Sequence, residues 1–378
     1  MTSSAGQGAE TAAASAESRE ERISGVVGDA RAFALDSDGF ACTRVFDEPE
    51  VWRVELLMSQ TFLPSVNVFV VRDGAETLIV DTGTPDDYND TRLMRALVRL
   101  GVDPAHATLF CTHAHIDHSG QARELAEAGV RVTLSRATLA DMRRFSTPTY
   151  CDYMAERLVG EGVGAAEAEE MANSIWAHVT DFERDEVPCQ ALAAGDVVRC
   201  GRWEFMTVPV PGHMPGQTAL WLPERSLAFT GDVVLYACST CICFWGGSDD
   251  ALGDQLSTLR RLADMGVEHA FLGHGVQKGV LAERCQGNIA HHERRSARAL
   301  AAVGERPGST GRELVPALGW HVPFETWEKV PALTRWFLVS ESVAHLDHLV
   351  CCGRMRREKD DAGVNRYWLR DGSRPPAP

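Results

Sequence analysis

The stretch Thr-His-Ala-His-Ile-Asp-His-Ser-Gly, residues 112–120, sets three histidines and one aspartate within the six positions from His113 to His118. It follows ATLFCTH (107–113), an apolar run that reads as a buried strand, and leads into SGQARELAEAG (119–129), which reads as a helix. At a strand end, residues 113 and 115 point to the same side, and the turn then swings Asp117 and His118 toward a neighbouring point. Imidazole and carboxylate are natural ligands for zinc, and to a lesser extent for iron or manganese. The spacing suggests two metals, with His113 and His115 on one and Asp117 and His118 on the other. The alternative is a surface cluster in which Asp117 merely starts a helix.

Two metals need further ligands, and the chain supplies them at later strand ends. PVPGHMPGQT places His213 in a Pro/Gly loop, FTGDVV (229–234) places Asp232 after an apolar run, and FLGHG (271–275) does the same for His274. Each is flanked by glycine, which lets backbone approach an ion closely. The tally is five histidines and two aspartates.

This ordered set, HxHxDH, then GH, GD and GHG, resembles the metallo-β-lactamase-fold hydrolases, in particular their glyoxalase II-like branch, over roughly residues 50–280. The resemblance implies an αββα four-layer sandwich in the α/β class. It implies that His113, His115 and His213 hold one metal, that Asp117, His118 and His274 hold the other, and that Asp232 bridges them. It implies two Zn2+ per chain, with iron or manganese as alternatives. An aspartate in a D-T-G segment, here Asp81, would orient a ligating histidine from behind; read from sequence alone it is equally a turn former before Gly83. Asp232 stands where common zinc β-lactamases carry cysteine or serine, which disfavours antibiotic hydrolysis. His115 stands where oxygen-reducing diiron relatives carry glutamate, which favours zinc hydrolysis. Met214 replaces the Thr or Ser that follows the third histidine in many relatives.

Two cations about 3.5–4 Å apart can share a bridging hydroxide, since coordination lowers the pKa of water toward about 7. The expected reaction is therefore attack by water on an ester-type bond of a small-molecule substrate, thioesters first, with no covalent intermediate. Asp117 and Asp232 are the expected catalytic carboxylates, neutralising charge and relaying the proton. Alternatives are a metal-dependent endoribonuclease or phosphodiesterase, an iron-dependent sulfur dioxygenase, and a non-catalytic winged-helix interaction protein with a structural metal.

The rest of the chain frames this centre. The 378 residues hold 44% hydrophobic and 24% charged side chains, the balance of a globular protein. No apolar run is long enough for a membrane span. Residues 1–22 lack apolar periodicity and the features of a signal or transit peptide, so a disordered tail and a cytoplasmic location are expected. The 11 cysteines read as free thiols in a reducing compartment. Cys238, Cys241 and Cys243 follow Asp232 closely, and pocket lining is favoured for them over a redox role.

The net charge of −16 argues against a chain-wide nucleic-acid footprint, although residues 281–378 carry 15 Lys+Arg against 12 Asp+Glu. The expected division is a catalytic domain at 23–280, a connecting helix at 281–304, a winged-helix-like domain at 305–370 and a tail at 371–378. Helix, helix and hairpin in the last third are similar to the small C-terminal domain of one subgroup of the same family. Its Arg354, Arg356, Arg357 and Lys359 could grip phosphate, but packing or homodimerisation is the favoured role, and nucleic acid is not. His345 and His348 on its long helix are expected at the surface. Residues 136–190 exceed what a compact version of the fold needs and are expected to form a helical insertion, either a lid over the metals or a structural element; His178 falls there.

Overall fold

The computed structural model describes residues 32–34, 41–58, 63–147, 149–176, 187–320 and 323–370. The two expected tails, at 1–22 and 371–378, and His178 lie outside them.

Fifteen strands and ten α-helices are described. The strands are β1 (Ala32–Ala34), β2 (Ala41–Phe46), β3 (Glu50–Leu57), β4 (Ser65–Asp73), β5 (Glu76–Val80), β6 (Ala107–Cys111), β7 (Arg131–Ser135), β8 (Cys189–Leu192), β9 (Val197–Cys200), β10 (Trp203–Pro209), β11 (Thr218–Leu222), β12 (Leu227–Gly231), β13 (His269–Leu272), β14 (Met355–Lys359) and β15 (Asn365–Leu369). The helices are α1 (Asp87–Arg99), α2 (Ile116–Ser119), α3 (Ala122–Glu127), α4 (Arg136–Phe145), α5 (Tyr150–Gly160), α6 (Ala165–Trp176), α7 (Ala251–Asp264), α8 (Leu281–Glu305), α9 (Gly311–Leu314) and α10 (Ala332–Cys351).

An eight-stranded sheet runs in the order β1 to β8, antiparallel as far as β5 and parallel from β5 to β8. A five-stranded sheet runs β13-β12-β11-β10-β9, with β12 and β13 its parallel pair. The two face each other. Alternation along β4 explains why: Phe69 and Val71 join Phe110, Phe205, Phe229 and Phe271 in the core between the sheets, while Val66, Val68 and Val70 join Leu93, Leu97 and Leu109 beneath the helices. A strand buried on both faces reads as a continuous apolar run, as SVNVFVV does. Phe69, Phe229 and Phe271 lie with ring centroids 5.3 Å apart pairwise. On the far side, Leu259, Leu262 and Leu281 from α7 and α8 cover the second sheet. Helices, sheet, sheet and helices make the four layers.

Parallel pairing positions the site. Val80 of β5 pairs with Phe110 of β6, so the chain leaves both strands at the same edge, carrying Asp81 and Thr112–His113. Gly231 of β12 pairs with Leu272 of β13, bringing Asp232 and His274 to the matching edge of the other sheet. The sheets are laced there: Asn67 donates its backbone N–H to Gly273 O (2.7 Å), and Thr218 donates to Thr112 O (2.9 Å). Carboxyl ends of parallel strands are where open α/β sheets gather ligands.

The run LAFTGDVVL stops being strand at Gly231, whose φ of +53° turns the chain so that Asp232 leaves the sheet. Within 136–190, helix α4 is part of the catalytic frame: Thr138 Oγ1 donates to Gly216 O, and Gly216 N donates to Asp141 Oδ2 (2.6 Å), fixing the loop that carries His213. Helices α5 and α6 follow it. They reach the C-terminal segment, where the buried Glu161 receives Arg157, Asn365 and Tyr367 hydroxyl, and Glu167 receives Arg335 and Trp327. That segment comprises α9, opened by a Thr310–Glu313 capping box, then α10 and the β14–β15 hairpin around their own small core. Among the described residues no helix is long and apolar enough to cross a membrane.

Candidate metal centre

The seven side chains singled out by the sequence come together where the two sheets meet. His113 Nε2 lies 3.0 Å from His115 Nδ1, which lies 3.1 Å from His213 Nε2. His118 Nε2 lies 3.2 Å from His274 Nε2, which is 3.3 Å from Asp117 Oδ2. Asp232 Oδ2 stands between the two groups, 2.9 Å from His274, 3.5 Å from His118 and 3.9 Å from His213. Four loops from four strands contribute, and all seven groups are largely withdrawn from water, with Asp117 the most accessible carboxylate at 12% against 7% for Asp232.

Hydrogen bonding on the far side of each ring decides what the near side offers. His118 Nδ1 donates to Asp81 Oδ2 (2.8 Å), His213 Nδ1 to Cys241 O (2.8 Å), and His274 Nδ1 to Ser65 O (2.8 Å). With a proton fixed there, Nε2 is the nitrogen that each ring leaves to face an ion. The three imidazole nitrogens of His113, His115 and His213, at successive spacings of 3.0 and 3.1 Å, cannot all satisfy one another as donors and acceptors. The spacing does match nitrogens around a shared ion at about 2.0–2.1 Å. His115 Nε2 and Asp232 Oδ1 have no hydrogen-bond partner among the described residues. This donor set fits divalent cations of the zinc class.

The electrostatics agree. Burial, reinforced by the other imidazoles, pushes His113 and His115 well below the usual histidine range. Burial also opposes charge on His118 and His274, but Asp117 and Asp232 overcome it, raising His118 well above its usual value and His274 to about 10. The two carboxyls are buried as well, and the same imidazoles hold them well below the usual carboxylate range. Without an ion, protons on His118 and His274 balance Asp117 and Asp232.

Asp81, legible in sequence only as a turn former or an orienting group, combines both features. Its φ is +65°, and its carboxylate accepts Thr112 N (2.7 Å), Thr112 Oγ1 (2.9 Å) and His118 Nδ1. Gly273 is required by space: a Cβ there would lie 2.1 Å from Asp232 Oδ1 and 2.7 Å from His118 Cε1.

Residues that sequence reasoning passed over complete the surroundings. Trp245, fully buried, stands edge-on to His115 with ring centroids 4.8 Å apart and is held by Tyr150, whose hydroxyl donates to Trp245 O (3.0 Å), and by Phe145. Helix α5 thus props an aromatic against one of the seven side chains. Cys241 lies beside the centre through its carbonyl, while its thiol sits 3.2 Å from Cys243 Sγ and 3.2 Å from Glu341 Oε2. His345, expected at the surface, is fully buried, and Glu341 is buried too, because α10 is covered by α6, α7, α8 and the hairpin. His348 is half-buried and donates to Asp250. The hairpin arginines are turned inward or sideways: Arg357 pairs with Asp347, and Arg356 lies over Trp368 and pairs with Glu358.

Residues 62–274, more than half the chain, match the metallo-beta-lactamase superfamily, and the chain belongs to it. It is 23% identical over 283 residues to an atrochrysone carboxyl ACP thioesterase of Aspergillus fumigatus, covering 71% of this chain and 73% of that one. A hydroxyacylglutathione hydrolase of Cereibacter sphaeroides is 39% identical over 71 residues, which are 19% of this chain and 27% of the relative. Among solved structures, a metallo-beta-lactamase family protein of Thermus thermophilus superposes with a TM-score of 0.70 at 24% identity, over 85% of this chain and 98% of its own. Fold and superfamily together make the chain a hydrolase with His/Asp groups that could hold metal.

Proposed function

We propose that the chain is a dinuclear zinc hydrolase of thioesters. The observation that carries this is the inward convergence of lone pairs from His113, His115 and His213 at one point and from Asp117, His118 and His274 at another, with Asp232 reaching both. The thioester preference is supported by the Aspergillus relative, whose alignment of 283 residues is longer than the superfamily match. When bound, the ion pair supplies polarisation of the substrate carbonyl and a lowered pKa for water.

The chain's own groups do the remainder. Asp81, Cys241 carbonyl and Ser65 carbonyl fix the imidazole tautomers, so no reorganisation accompanies catalysis. Asp117, the more accessible carboxylate, takes the proton of the attacking water and passes it to the departing sulfur. Water adds to the acyl carbon, the C–S bond breaks, and acid and thiol leave. Trp245 screens the His115 side from solvent. Arg357 is paired with Asp347 and Arg356 with Glu358, which leaves a poor phosphate track and weighs against a ribonuclease reading.

The test is turnover of a panel of acyl thioesters, lactones and phosphodiesters by one preparation, before and after chelation and reloading with Zn2+. Chelator-sensitive hydrolysis strongest on thioesters is expected. Full activity in metal-free protein, or in a folded His115→Ala variant, would overturn the proposal.

A further inference from the structure

A second group of ligand-type side chains lies away from the centre described above, between α8 and α10. His292 of α8 and Glu341 and His345 of α10 bring their ligand atoms within 4.8 Å of one another. Glu341 and His345 are one helical turn apart, hence on one face. His292 and His345 are 0% exposed and Glu341 is 7% exposed. Their rings stand 5.7 Å apart and tilted by 37°.

The hydrogen bonding is incomplete. Among the described residues neither ring nitrogen of His292 has a partner, nor does Nε2 of His345, whose Nδ1 contacts Ser296 Oγ at 2.9 Å. Asn288, one turn before His292 and 1% exposed, has neither amide atom engaged. Each buried polar atom left without a partner costs about 1–3 kcal/mol, so such a concentration of them marks a missing polar occupant. Burial pushes His292 down to about 3, leaving its lone pair free. Glu341 is held by Arg295 (2.8 Å), and its second oxygen accepts the Cys241 thiol.

We propose that His292, Glu341 and His345 form a second site for one zinc-class divalent cation. Two imidazoles and a carboxylate are ligand types that such an ion takes. The ion joins α8 to α10, and Glu341 carries the link to the loop at 238–245 through the Cys241 thiol. Because the Cys241 carbonyl accepts the His213 Nδ1 proton, the second ion braces the loop that aligns a ligand of the first.

The test uses the full chain, stripped with chelator and reloaded with Co2+, reading metal equivalents by elemental analysis. The wild type should hold one equivalent more than His345→Gln or His292→Gln. His113→Ala combined with His345→Gln should hold one equivalent less than His113→Ala alone, whatever happens at the catalytic centre. The same cobalt content in the wild type and the folded variants overturns the proposal and assigns these buried polar atoms to water. Should His345→Gln not fold, His292→Gln decides.

Discussion

The Asp81 carboxylate holds the Nδ1 proton of His118 at 2.8 Å while two bonds from Thr112 hold the carboxylate. The left-handed backbone of Asp81, φ +65°, is what turns its side chain back beneath the strand ends. Such strain persists only where its surroundings over-determine it. Asp81→Asn leaves the shape almost unchanged but replaces a charged acceptor with a neutral amide. Metal affinity should fall by about 10–100-fold with the fold retained. Competitive chelator titration beside circular dichroism measures both, and unchanged affinity would contradict the orienting role.

Gly273 touches Asp232 and His118 so closely that a methyl group has no room. Gly273→Ala should therefore abolish most turnover and lower metal content while melting at a temperature near that of the wild type. Gly287, inside α8 with nothing within 4 Å of a notional Cβ, is the control. Gly287→Ala should keep full activity and raise stability by about 0.4–1 kcal/mol. Denaturant midpoints and activity on the same samples separate the two positions.

Both glycines are visible in sequence, but only Gly273 is marked, by the histidine beside it. That contrast holds generally here. The ligand set was readable because metal chemistry restricts residue type and strand-end placement restricts spacing, so HxHxDH, GH, GD and GHG carry their roles on their face. The strands that hold them were readable where apolar runs are long, as in β4, and went unread at the short, partly exposed β2, β8 and β9. Trp245, Tyr150 and Glu161 left no trace, since each acts through a contact about 100 to 200 residues away in sequence, such as Tyr150 to Trp245 across 95 positions. His345 was misplaced because the charges of neighbouring Asp347 and Glu341 suggest a wet helix face. In the fold α10 is covered on several sides, and Glu341 points at Arg295.

Metal loading should depend on pH through His118 and His274. Burial disfavours their charge, but Asp117 and Asp232 raise both, His274 to about 10, so the ion-free protein is protonated there at neutral pH. Ligation must displace those protons, and apparent affinity should fall about tenfold per pH unit for each proton displaced. The sign for the ion-free chain follows from the same shift. His274 is raised above its ordinary 6.5, so its stabilising contribution is fully present below 6.5 and is lost as pH rises toward 10. Zinc binding measured calorimetrically in buffers of different ionisation enthalpy should show net proton release at pH 7. None would place these imidazoles outside the metal centre.

Glu161 fastens helix α5 to the C-terminal hairpin. Its side chain is fully buried, with Arg157 and Asn365 on Oε1 and Tyr367 on Oε2, and its backbone carbonyl accepts Arg312 N–H at 2.8 Å. Burial raises the carboxyl above its usual range, with Arg157 pulling the other way. Glu161→Ala would leave Tyr367 and Asn365 without acceptors in the interior, and Arg157 would retain only Asp347. Removing one partner of a buried network costs about 3–5 kcal/mol. Glu161→Gln, which keeps an acceptor for the two neutral donors, should cost less. Because α5 also carries Tyr150, which holds Trp245 beside His115, loosening this anchor should also weaken metal binding at the His115 side of the centre. Equal stability for both variants, or unchanged metal affinity, would show that α5 carries no such linkage.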